Sequence, residues 1–173
     1  MEEQQETKFE FRFVDKFDDE TYKKLMDGNL HNSPYVLPAF ELNGPGDSSF
    51  VPSGKELRLG VFDNDKLVAL SWGHAITAKQ FQMNISLVDQ AYRKQGIYQK
   101  MLEMILENTK EFDEVDSFHH MWNNDIIRLK LKAGFRIIGF NQSHIVGTCL
   151  RMRYHHNKEL EKAFLSREIP VRS

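Results

Sequence analysis

The chain has 173 residues, 40% of them hydrophobic and 28% charged, which supplies enough apolar material for one core and too much for a disordered chain. Its 25 acids against 23 bases leave a formal charge of -2, no overall field for gathering nucleic acid, and no apolar run approaches the ~20 residues of a membrane span. The single cysteine, Cys149, excludes an internal disulfide framework and a Cys-rich zinc site; with the acidic opening MEEQQETK it sets the expectation of a cytoplasmic protein.

Phe9, Phe11 and Phe13 alternate with Glu10 and Arg12, the two-residue period of a half-buried strand. DDETYKKLMDG, from Asp18 to Gly28, predicts a helix, with acids in its first turn, Leu25 and Met26 for the core, and glycine after its end. From Asn29 to Glu56 the pattern breaks at Pro34, Pro38, Pro45 and Pro52, while Tyr35, Val36, Leu37, Phe40 and Phe50 are interleaved. So long a connection inside one domain is expected to pack, to hold a short helix and to serve a site.

LRLGVF (57–62), the turn DNDK (63–66) and LVALSWGHAI (67–76) predict a hairpin. QFQMNISLVDQ (80–90) predicts a strand with Phe81, Met83, Ile85 and Leu87 on one face, and MLEMILENTKEF, from Met101, has helical spacing. VDSFHH (115–120) reads as a short strand, DIIRLKLKAGF (125–135) as an amphipathic helix closed by Gly134, RIIGF (136–140) and SHIVGTCLRMRY (143–154) as two further strands, and the tail from His155 as a helix with a loose end. This order predicts an α/β fold, a mixed central sheet of about seven strands flanked by helices, in a single domain over residues 1–173 with its core in 8–154.

Between the strand at 80–90 and the next helix stands Arg93-Lys94-Gln95-Gly96-Ile97-Tyr98. The free backbone N–H groups of that helix start, the positive end of its dipole and the adjacent Arg93 and Lys94 make an anion pocket, and Gly96 permits a close approach. Taken alone, Gly96 reads first as a tight strand-to-helix turn. Histidines 119 and 120 end a strand beside Asn123; strand neighbours point to opposite sides, so one of them is expected to face the cleft as a base or water-organiser, unless both are packing or surface residues. Asp113, Glu114 and Asp116 read as ordinary helix-end and loop charges. Cys149 reads as core, and no histidine shows metal-ligand spacing.

VDQAYRKQGIYQKML, followed by Asn-x-x-Ile-x-x-Leu-Lys-x-x-x-Gly-Phe from Asn123 to Phe135, resembles the GNAT family of N-acetyltransferases. Arg93 and Gly96 match its Arg/Gln-x-x-Gly-x-Gly/Ala motif, with Tyr98 where the family has a small residue. Asn123, Leu129, Gly134 and Phe135 match the second motif, with Ile126 for Ala and Lys130 for Tyr. The resemblance implies acetyl-CoA as acyl donor, its pyrophosphate on the 93–98 turn, its pantetheine along the fourth strand near Leu87 and Val88, and no metal. It implies transfer to a primary amine of a small molecule or a protein, or else a binding module that kept the fold and lost turnover. Lys130 then either offsets the leaving thiolate or touches a CoA phosphate, or is a solvated helix residue. The C-terminal helix offers a face for a homodimer.

Overall fold

Strands β1 (Glu10–Phe13), β2 (Glu56–Asp63), β3 (Lys66–Ala75), β4 (Gln80–Val88), β5 (Glu114–His120), β6 (Arg136–Ser143) and β7 (Gly147–His155) form one sheet in the order β1-β2-β3-β4-β5-β7-β6. The structure, a computed structural model, describes residues 9–31, 54–143 and 147–166. Every neighbouring pair is antiparallel except β4 and β5, which run parallel and are joined by a crossover helix. The predicted mixed sheet of seven strands is therefore present. Most of the 29–56 segment, with its expected short helix and the residues Tyr35, Phe40 and Phe50, lies outside the described residues.

Among the described residues four α-helices cover the sheet: α1 (Asp19–Met26), α2 (Ile97–Glu107), α3 (Asn124–Lys132) and α4 (Lys158–Leu165). Asp18 caps α1 by accepting from the Thr21 N–H at 2.9 Å, and Asn157 caps α4 in the same way. On one face Ile97, Met101, Leu102 and Ile105 of α2 and Ile127 of α3 meet Leu59, Val61, Val68, Phe81, Met83, Val115 and Met152 of the sheet; this is the main core. On the other face Phe17 and Leu25 pack on Leu67 and Leu70, with Trp72, Ile85 and Leu87 against them. The first face is hereafter the α2 face, the second the α1 face.

Two expectations from the sequence are corrected. Phe81, Met83, Ile85 and Leu87 do not share a face: Phe81 and Met83 belong to the main core, Ile85 and Leu87 to the α1 side. The cause is a β-bulge. Trp72 pairs with Ile85 and Gly73 with Met83, so Asn84 is an extra residue in β4 and reverses the alternation beyond it. Gly73 makes room there, since a Cβ on it would stand 2.4 Å from the Gln82 carbonyl oxygen and 2.6 Å from the Phe81 ring. The second correction concerns Asp116, which is no loop charge: it sits fully buried inside β5. Arg151 Nη2 and Arg153 Nε reach its carboxylate at 2.6 Å each, and Gln80 Nε2 at 2.9 Å. Strand pairing brings the cluster together: Asp116 stands opposite Arg153 of β7, Arg151 lies two residues away on the same side of that strand, and Gln80 reaches in from β4.

Candidate functional site

β4 ends at Val88, and Asp89 opens a 3₁₀ turn over Gln90–Tyr92 by accepting from the Ala91 N–H at 2.9 Å. The chain then passes Lys94 at φ 63° and Gly96 at φ 77°, left-handed residues on either side of Gln95, before α2 starts at Ile97. A non-glycine residue held there costs on the order of 1–2 kcal/mol, which Gly96 avoids. A Cβ on Gly96 would meet nothing within 4 Å, so the glycine answers to backbone geometry and the space above it is open. The amides of Gln95, Gly96, Ile97, Tyr98 and Gln99 donate to no group among the described residues. Together with the α2 dipole they form a seat for an anion.

Arg93 braces this seat. Its Nε donates to the Val88 carbonyl at 3.1 Å and its Nη2 to Asn29 Oδ1 at 3.3 Å, and Asn29 also receives the Gln90 N–H at 3.0 Å. The helical turn that follows α1, Asp27–His31, is thus tied to this junction. Beside the seat lies a cavity of about 450 Å³, lined by Ser86, Leu87 and Val88 of β4, by Arg93, Lys94, Gly96, Ile97 and Tyr98, and by Asn123, Ile126 and Leu129 around α3. All the sequence-predicted donor-site residues line it except Gln95, which lies in the turn. Ser86, Ile126 and Leu129 were missed, although the helical spacing of Asn123, Ile126 and Leu129 already placed them on neighbouring turns. Tyr98 packs on the main core and its Oη is buried without a partner among the described residues, so burial pushes the phenol upward and its bulk is turned inward.

At the floor of the cavity the sheet opens. The last rung between β4 and β5 joins Met83 to Ser117, and from Phe118 onward β5 pairs with β7 alone. The Asp89 N–H is spent on Val68 of β3 at 2.9 Å, so strand alternation turns the N–H groups of Ser86 and Val88 towards the open edge. The Val88 carbonyl agrees, since Arg93 rather than β3 takes it. The bulge at Asn84 stands at the first position past the split.

The three sequence-predicted reactive side chains do not line the cavity, and they part to different sides. His119 turns to the α2 side, with Nε2 at 3.2 Å from Ser117 Oγ; burial, reinforced by Lys130 and His120, holds its pKa down to about 3. His120 turns to the α1 side, stacks on Trp122 with ring centroids 4.5 Å apart, and places Nδ1 3.6 Å from Cys149 Sγ; burial lowers its pKa below the ordinary histidine value. Lys130 is fully buried rather than solvated. Its Nζ lies 3.1 Å from Met83 Sδ and 4.1 Å above the Phe135 ring, and burial lowers its pKa to about 7. Met83 is the last rung, so the amine sits beneath the point where the strands part. Past the split on the α1 side, Asn84 holds His74 Nδ1 at 2.7 Å and accepts from Gln82 at 3.1 Å, a polar chain with no signal in the residue pattern. No three His, Cys, Asp or Glu side chains are grouped as for a metal among the described residues.

No protein-family model and no curated protein matches this chain by sequence. Solved structures do match it in three dimensions. The ribosomal-protein-S18-alanine N-acetyltransferase of Escherichia coli superimposes with a TM-score of 0.66 at 13% identity, over 95% of this chain and 99% of that one. A Bacillus subtilis acetyltransferase in complex with CoA gives 0.61 at 13% identity over 85% and 98%, and a GNAT family acetyltransferase from Elizabethkingia anophelis with acetyl-CoA bound gives 0.62 at 10% over 87% and 99%. The fold is that of the GNAT acetyltransferases. The single α/β domain with its seven-stranded mixed sheet flanked by helices matches that fold, as the two sequence motifs implied. No helix among the described residues is long and apolar enough to cross a membrane.

Proposed function

We propose that this GNAT-fold chain is an N-acetyltransferase that moves the acetyl group of acetyl-CoA to a primary amine. The observation that carries the reading is the run of unspent amides from Gln95 to Gln99, opening beside a cavity that leads to the parted strands β4 and β5. The turn takes the pyrophosphate, with Lys94 adding charge, and the open edge of β4 takes pantetheine. The Ser86 and Val88 N–H groups are placed to bond the thioester carbonyl and then the oxyanion, a donor role worth about 2.7–4 kcal/mol in acyl transfer.

The neutral amine attacks the carbonyl carbon, the C–N bond forms and the C–S bond breaks; nitrogen gives one proton to the base and the departing thiolate takes one from the acid, so the amide and CoA in its thiol form leave with no net release of a proton. His120 is the better base of the two histidines. It faces the α1 side, across the sheet from α2, and is neutral at pH 7, whereas His119 with a pKa of about 3 is a far weaker one. Lys130 sits one layer beneath the cavity, and its ammonium, with a pKa of about 7, is a stronger acid than a thiol of pKa ~8.5, so protonating the departing thiolate is downhill. Cys149 buried in β7 fits a reducing compartment, and the cytoplasm is the setting proposed.

An amine panel with acetyl-CoA, read by free thiol, tests the function. Turnover with any amine that scales with enzyme supports it. A CoA-induced rise in melting temperature with no thiol release from any amine identifies a binding module instead.

A further inference from the structure

The α1 face of the sheet past the split is where an amine would meet the thioester, and its charges are distributed in an unusual way. Just before the split, and among the described residues, the carboxylates that β2 and β5 turn to this face are committed: Glu56 is paired with Arg58, Glu114 with Arg153 at 2.8 Å, and buried Asp116 with both Arg151 and Arg153. The histidines on this face, His74 and His120, are both lowered by burial and neutral. Nothing among these groups is left to receive a second cation.

Arg151 is the exception on the positive side. Its Nε and Nη2 both go to one oxygen of Asp116, at 3.0 and 2.6 Å, and that oxygen also accepts from Arg153 and Gln80 at 2.9 Å each. The carboxylate is saturated, while Nη1 of Arg151 has no partner among the described residues and its side chain is 39% exposed. Arg151 is also placed for a purpose. It is the β7 partner of Phe118, the first residue of β5 beyond the last β4 rung, and its guanidinium lies 5.8 Å from the Phe118 ring. Only the width of β5, about 5 Å, separates it from the split.

We propose that Arg151 is the anion anchor of the acceptor site and that the acceptor is a small amine carrying a carboxylate a few bonds away, an amino-acid-like zwitterion and not a polyamine. A guanidinium already fixed by Asp116 presents its remaining edge without losing side-chain freedom, the geometry that suits a carboxylate. The positive guanidinium, beside described carboxylates of β2 and β5 that are already paired, disfavours a second ammonium. This inference rests on the acyl-transfer reading, and the experiment separates the two.

Thiol release is measured for short α- and ω-amino acids, for their methyl esters and for spermidine. Each free acid is expected to exceed its ester in kcat/KM by about 10- to 100-fold, the worth of a charge-assisted hydrogen bond, with the difference in KM. In Arg151→Gln that preference should vanish, and Arg151→Lys should keep part of it. Because Asp116 retains Arg153 and Gln80, the variants are checked by melting temperature; the acid-to-ester ratio of the unaltered protein needs no variant. Equal rates for acid and ester, or a preference for spermidine, overturn the inference while the transferase reading stands. If no amine is turned over, that reading falls, and ligand-observed NMR on CoA-saturated protein decides the anchor by itself. Binding of acid over ester that is lost in Arg151→Gln upholds it, and binding without that selectivity overturns it.

Discussion

In the proposed reaction the two sides of the cleft recognise their ligands by different means. On the donor side the groups that matter are backbone amides, held open by one left-handed glycine and one strand-to-helix junction within eleven residues of chain, Asp89 to Gln99. On the acceptor side they are side chains drawn from β3, β4, β5 and β7: His74, Asn84, Asp116, His120 and Arg151. Backbone recognition tolerates side-chain change and fails only when the turn itself is blocked. Side-chain recognition rests on partners far apart in sequence, so its failure spreads into the stability of the sheet.

The sharpest way to break the donor side is Gly96→Glu. It forces a β-carbon onto a φ of 77° and sets negative charge in the anion seat, so the CoA-induced rise in melting temperature should disappear. An undiminished rise in folded protein would remove the pyrophosphate from this turn. The matching change on the other side is Asp116→Asn, which leaves two guanidinium groups without their shared carboxylate. Removing one member of a buried ion cluster costs about 3–5 kcal/mol, so denaturant unfolding should show a loss of that size while CoA affinity in the folded fraction stays put. A loss below 1 kcal/mol would mark the cluster as dispensable.

Lys130 lies between the two sides, and its prediction concerns pH. Unfolded, it binds a proton up to 10.5; folded, only up to about 7. Between these values the unfolded state holds the extra proton, so stability rises as pH rises from about 7 towards 10.5. His119 adds the same sign lower down, stability falling as pH drops from 6.5 towards about 3. Melting temperature should therefore climb from pH 6 to pH 9, and Lys130→Met, apolar and of similar length, should flatten that climb and be the more stable protein at pH 6. Activity of the same variant then reads the proton donor: full turnover with an unchanged pH profile would show that the thiolate leaves without it. A smaller effect is expected at His120. If it is the base, the acidic limb of kcat/KM falls below pH 6.5, since burial lowers this histidine, and vanishes in His120→Ala. The smallest is Lys94→Ala, a few-fold loss of CoA affinity that salt should mask, because an exposed lysine adds only screened charge to amides that do the seating.

What the sequence by itself determined is what local chemistry controls. Period-two and period-3.6 patterns placed the strands and helices, and Gly96 between a strand and an amphipathic helix marked the turn proposed as the donor site, because such a turn exposes the same amides in any context. Tertiary structure alone decided the rest. The bulge at Asn84, which split Phe81 and Met83 from Ile85 and Leu87, is an insertion relative to β3 and exists only once the two strands pair. Asp116 looked like a loop charge because its partners Arg151 and Arg153 lie 35 and 37 residues away and meet it only when β7 inserts beside β5. Lys130 looked like a solvated helix residue or a reactive one with equal right; its burial between Met83 and Phe135, and with it the pKa, is a property of the packed α3 against the sheet, since desolvation is set by what surrounds a group in space and not by its neighbours along the chain.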